Sequence, residues 1–126
     1  MQSLKIEATR STPKIEFDAE KDVLRMEGES YPEDAAKFYQ PVFEWLRTYL
    51  AEASGRITVE LKVSYLNTSS SKCMITLLDM LEEANGQGER ITVNWRYAAG
   101  NEMAQECGKE LSEDLTLPFH IVEEKE

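Results

Sequence analysis

Residues 67–71 read Asn67-Thr68-Ser69-Ser70-Ser71, an unbroken polar run set between a strand-like stretch and a helix-like one. A helix start carries unpaired backbone N–H groups and the positive end of the helix dipole, so a hydroxyl there, or a phosphate on it, meets an anion-binding setting. The chemistry this favours is reversible phosphorylation, with Thr68 as the candidate acceptor and Asn67, Ser69, Ser70 and Ser71 as its immediate setting. Asn, Thr and Ser are also ordinary N-cap residues, and capping accounts for one of them. A run of five exceeds that need.

Other chemistries find less support. A nucleophilic Thr68 or serine needs a positioned base, and the single histidine, His120, lies about fifty residues away, where it alternates with Phe119 and Ile121 as an exposed strand position. Cys73 and Cys107 sit at helical positions beside apolar residues and read as buried structural thiols. Together with one histidine they are too few to ligate zinc, so no metal is expected. Asn85-Gly86-Gln87-Gly88 precedes a strand and does not open a helix, which argues against a nucleotide-binding loop, and no cofactor is expected. Glu82-Glu83 and Glu123-Glu124 read as solvated surface in an acidic chain, and no enzymatic activity is expected.

The elements that position the polar run follow from periodicity. In Ile57-Thr58-Val59-Glu60-Leu61-Lys62-Val63-Ser64-Tyr65 every odd position is apolar and every even one polar, the pattern of a half-buried strand. The same alternation recurs over Ile91 to Tyr97 and, in shorter form, at Leu4/Ile6, Ile15/Phe17, Leu24/Met26 and Phe119/Ile121. Glu33 to Ala53 is helical, with Phe38, Val42, Leu46, Tyr49 and Leu50 on one side, and Pro41 predicts a kink or two abutting helices. A second helix runs from about Ser69 to Ala84 with Met74, Leu77, Leu78 and Leu81 inward, and ends at Asn85-Gly86. A third, from about Glu102 to Glu113, carries Met103, Cys107 and Leu111 on one stripe.

The first three strands read as an antiparallel unit joined at Asp18 to Asp22, and the remainder as βαβαβ. Alternating strands mean a sheet wet on one side, so the expected fold is a mixed α/β (α+β) sheet of about six strands with helices mainly on one face. Strand 57 to 66, helix 69 to 84 and strand 89 to 97 form a right-handed crossover that places the polar run at the carboxyl edge of the sheet. Trp95 falls on the apolar side of its strand and reads as core, whereas Tyr39 reads as an outward interface candidate. The tail Glu123-Glu124-Lys125-Glu126 is expected to fray.

A length of 126 residues fits one domain spanning 1–126. The net charge of −10, without a separate Lys/Arg cluster, argues against nucleic acid and against an anionic membrane surface. No window approaches the ~18 apolar residues of a membrane span, so a cytoplasmic protein without direct membrane insertion is expected.

The segment Tyr65-Leu66-Asn67-Thr68-Ser69-Ser70-Ser71-Lys72, with the leucine-rich helix after it, and Ser30-Tyr31-Pro32-Glu33 and Phe38-Tyr39-Gln40-Pro41 before it, resembles the SiaC family of bacterial biofilm-regulation phosphoproteins. More distantly the layout is similar to STAS domains of anti-anti-sigma factors, which implies a STAS-like two-layer domain. Those domains have an acidic residue before the phospho-acceptor where this chain has Asn67. The SiaC resemblance implies an adaptor that, when unphosphorylated at Thr68, binds and activates a diguanylate cyclase, raising cyclic di-GMP and promoting biofilm or aggregation. It further implies a cognate protein kinase that switches the adaptor off and a PP2C-type phosphatase that restores it. The alternative is a STAS-like anti-anti-sigma factor in a partner-switching pathway.

Overall fold

Six alternating segments pair into one sheet, and three amphipathic segments coil above it. The structure is a computed structural model that describes residues 1–86 and 90–125. Its strands are β1 (Leu4–Ile6), β2 (Lys14–Asp18), β3 (Val23–Ser30), β4 (Ile57–Leu66), β5 (Ile91–Ala98) and β6 (Phe119–Glu124). Its helices are α1 (Ala35–Glu52), α2 (Thr68–Asn85) and α3 (Glu102–Ser112). Gln87 and Gly88, part of the Asn85–Gly88 turn discussed above, lie outside the described residues.

The strands lie in the order β1-β2-β3-β4-β5-β6, antiparallel across the first two junctions and parallel across the last three. Each parallel crossover therefore steps one strand further in the same direction. A right-handed connection repeated without reversal puts every helix on the same face of the sheet. Burial agrees with this, since Ile57, Val59, Leu61 and Val63 of β4 and Ile91, Val93 and Trp95 of β5 are all sealed in the core. The other face carries Arg25, Glu60, Asn94 and His120 side by side across four strands. There Arg96 Nη2 donates to Glu60 Oε1 at 2.8 Å and Asn94 Nδ2 donates to Glu60 Oε2 at 2.7 Å. The expected mixed sheet with its helices on one face is the architecture found.

All three helices open on Asx caps, in which Asp34, Asn67 and Asn101 accept the N–H of the residue three further on. Arg90 closes the far end of α1, donating through Nη1 to Ala53 O at 2.8 Å, where a cation also meets the negative end of the helix dipole. Trp95 anchors α3 by donating through Nε1 to Ala104 O at 2.9 Å. Gly108 lies flat against the same indole, and a Cβ added there would sit 2.5 Å from Trp95 Cδ1.

Several sequence expectations change. Helix α1 is continuous through Pro41, which is exposed, as is Lys37 four residues earlier; the carbonyl that loses its helical donor is open to water there, and no second helix is needed. The inward stripe of α1 is Ala35, Tyr39, Val42, Leu46 and Tyr49, so Phe38 and Leu50 are only half-buried and Tyr39, at 1 % exposure, is core and not interface. On α3 the inward positions are Ala104 and Gly108, while Met103 is 72 % exposed. Cys73 and Cys107 are half-buried, not sealed. Of the tail expected to fray, Glu123 and Glu124 belong to β6, with Glu124 Oε1 3.3 Å from Lys62 Nζ, while Lys125 follows the strand and Glu126 lies outside the described residues.

Glu82 is not idle surface either. Its carboxylate accepts from Thr116 N at 2.9 Å, Thr116 Oγ1 at 2.6 Å and Leu117 N at 3.0 Å, clasping the segment that leads into β6. These bonds, first that of the Thr116 hydroxyl, hold its pKa below the ordinary 4.5. A carboxylate with a lowered native pKa stabilises the fold above the unfolded value, and that contribution is lost as pH falls through the native one. Acid titration of stability should therefore show a loss beginning below about pH 4.5 that is smaller in Glu82→Gln, followed by urea midpoints at each pH. Gly108→Ala, which forces the indole to move, should lower stability by about 1–3 kcal/mol at neutral pH in the same assay.

Candidate functional site

The polar run lies where β4 ends and α2 begins, at the carboxyl edge of the sheet. Asn67 is the cap, with extended backbone, and its Oδ1 accepts from Ser70 N at 2.8 Å. The first helical backbone bond runs from Ser71 N to Asn67 O at 2.8 Å. Thr68 and Ser69 are thus the first two helical residues, with backbone N–H groups that precede the intrahelical ladder. Both side chains are exposed. The Thr68 hydroxyl stands at the positive end of α2, open to a modifying enzyme.

Ser70 differs from its neighbours. It is 0 % exposed, and its Oγ accepts from Ser30 Oγ at 2.8 Å. Ser30 has one hydroxyl proton, so the Tyr39 phenol, 2.7 Å away, donates to it. Burial pushes the Tyr39 pKa up to about 12, partly offset by the Ser30 bond, so the phenol stays protonated and available as donor at neutral pH. Asn67 N also donates to Ser30 O at 3.0 Å. This buried chain of hydroxyls fastens the start of α2 to the end of β3 and to α1. The five polar residues therefore divide: Asn67 caps, Ser70 is a tie, Ser71 is half-buried, and only Thr68 and Ser69 present hydroxyls outward.

A backbone irregularity completes the edge. Gly28 pairs with Val63 but Glu29 pairs with Tyr65, so Ser64 is an extra residue and β4 bulges. Gly28 holds φ at +128°, where a side chain would be strained, and a Cβ would also approach Pro13 Cα at 3.3 Å. The bulge reverses the alternation. Tyr65, inward by its place in the pattern, is turned out to 44 % exposure and meets Tyr31, 36 % exposed, edge to face with ring centroids 6.1 Å apart. Neither tyrosine was found by periodicity. The available signal was Gly28 in the middle of a strand, a position that marks bulges.

The remaining candidates lie elsewhere. His120 is exposed on the helix-free face beside Asn94. Burial raises the pKa of both cysteine thiols, with Glu110 adding to the effect at Cys107, so neither is an activated nucleophile. Among the described residues no group of three or more His, Cys, Asp or Glu side chains is arranged to hold a metal ion, and no helix is long and apolar enough to cross a membrane. Because the hydroxyl chain is sealed, Ser70→Ala, which strands the Ser30 proton, and Tyr39→Phe, which removes its donor, should each cost about 1–2 kcal/mol by urea denaturation. A double mutant should cost less than the sum if the three groups act as one unit.

Comparison with known proteins places this geometry. An uncharacterized protein of Pseudomonas aeruginosa strain UCBPP-PA14 is 39% identical over 121 residues, 96% of each chain. SiaC of Pseudomonas aeruginosa superposes with a TM-score of 0.91 at 36% identity, covering 98% of this chain and 100% of that one. The crystal structure of the diguanylate cyclase SiaD in complex with its activator SiaC, also from Pseudomonas aeruginosa, contains a chain that matches with a TM-score of 0.91 at 38% identity, over 96% of this chain and 99% of its own. The SiaC family model of regulatory phosphoproteins matches residues 6–124, so the fold, the strand-to-helix edge and the sequence agree: this chain belongs to the SiaC family.

Proposed function

We propose that this chain is a phosphorylation-switched adaptor, one domain over residues 1–126, that binds and activates a diguanylate cyclase while Thr68 is unmodified. Raised cyclic di-GMP and biofilm or aggregation follow from that activation. A cognate kinase esterifies Thr68 and a PP2C-type phosphatase reverses it, all in the cytoplasm. The observation that carries the reading is the match over nearly the whole chain to a SiaC solved with its cyclase, in a protein whose Thr68 hydroxyl is exposed at the first position of a helix. On this reading the chain acts by binding and not by turnover, which the match to a family of regulatory phosphoproteins supports.

The physics of the switch follows from where the phosphate would sit. A phosphothreonine carries about −1.5 to −2 charges, and at a helix start its oxygens gain about 0.3–1 kcal/mol from backbone N–H groups and the dipole. The adaptor itself therefore tolerates the modification. A partner pays more: a surface that replaces none of the phosphate's hydrogen bonds strips water from a charged group, at a cost of at least about 2–3 kcal/mol. That corresponds to roughly 100-fold in affinity.

Binding of purified cyclase should be strongest for the unmodified protein, retained by Thr68→Ala, and weakened by roughly 100-fold on stoichiometric phosphorylation. Thr68→Asp should weaken it less, because a carboxylate carries less charge than a phosphate. Peptide-level mass spectrometry of the kinase-treated protein should place the phosphate on Thr68 and leave Ser70 unmodified. Equal cyclase affinity of the modified and unmodified proteins would refute the mechanism.

A further inference from the structure

Resting on the adaptor reading, we propose that the Tyr31–Tyr65 pair and Thr68 form one continuous contact face, and that the cyclase covers it with an apolar, uncharged patch. The two rings are among the few large apolar side chains this chain leaves exposed, and they touch each other edge to face. Their exposure is enforced by the fold. Without the extra residue at Ser64, the alternation of β4 would carry Tyr65 into the core; the bulge, accommodated by the left-handed backbone of Gly28, turns it outward. Tyrosine, with a large ring and a hydroxyl at its rim, is among the side chains enriched at the hot spots of protein interfaces.

The pair is also joined to the switch. Tyr31 follows Ser30, whose carbonyl accepts from Asn67 N and whose hydroxyl donates to Ser70, so the ring is carried on the same tie that holds the start of α2. Tyr65 precedes Thr68 by three residues along the chain. A body seated on the tyrosines reaches the Thr68 edge.

The sign of the switch selects the chemistry of that body. A cationic patch over Thr68 would grip the phosphorylated form more tightly, since guanidinium and ammonium groups pair with phosphate. Release on phosphorylation instead requires a surface that strips water from the phosphate without replacing its hydrogen bonds. Glu29, exposed and level with Tyr65, and Glu33, exposed just beyond Tyr31, set two carboxylates beside the tyrosines, with Lys72 one turn beyond Thr68 on α2, so a strongly acidic partner is disfavoured at the tyrosines. What remains is an aliphatic patch.

The test measures affinity of the full-length unphosphorylated protein for purified cyclase across a salt series, beside circular dichroism and urea midpoints. Tyr31→Ala and Tyr65→Ala should each weaken binding about 10-fold or more with unchanged folding, and Tyr65→Phe should stay within about 3-fold of wild type. Wild-type affinity should vary little with salt. Wild-type affinity in both alanine variants would overturn the contact face, and a steep fall of affinity with salt would overturn the uncharged partner patch. Absence of any cyclase binding by the wild type would overturn the adaptor reading itself, and this face with it.

Discussion

The sheet never reverses its order, and the rest of the molecule depends on that constraint. Three right-handed crossovers, each moving to the next strand in the same direction, leave the helices no choice of face. They also bring the starts of α1, α2 and α3 to one edge, where the parallel strands end. Each start has an Asx cap, and each presents the positive end of a helix dipole there. The positive ends of all three helices thus gather at a single rim. Thr68 stands on it.

Rigidity of that rim comes from burial as well as from capping. The Tyr39–Ser30–Ser70 chain joins three elements through hydroxyls removed from water, where each lost partner leaves a neighbour unsatisfied. Ser70 therefore holds the first turn of α2 in place while Thr68 and Ser69 remain outside. Under the proposed switch, a modification at Thr68 would meet a scaffold that does not need to rearrange, and its effect would fall on the desolvation and charge of the docking surface.

Most of the fold was legible because hydrophobic period is set by local geometry. The alternation of Ile57 to Val63 and of Ile91 to Tyr97, and the i, i+3, i+4, i+7 spacing from Met74 to Leu81, point to the elements found. The errors have a common form. Phe38 and Tyr39 are adjacent on a helix and only about 100° apart, so two apolar stripes fit equally well, and packing against Ser30 and the sheet selects Tyr39. Met103 against Ala104 is the same ambiguity on α3, resolved because the Trp95 ring admits a residue without a side chain at Gly108 and nothing larger. Pro41 was given weight enough to divide this segment into two helices, yet α1 runs through it without a break. Glu82 looked like surface because its three donors come from a loop more than thirty residues away.

By itself, the sequence determined the strands, the helices, their order and the polar run at a helix start, since period, cap chemistry and charge are properties of residues and their neighbours along the chain. Tertiary structure alone decided which hydroxyls of that run face water, that Ser70 is sealed against Ser30, and that Tyr65 leaves the core to meet Tyr31. The reason is that accessibility and strand register depend on groups brought together from distant positions, and a one-residue shift between neighbouring strands is enough to reverse the direction in which a side chain points.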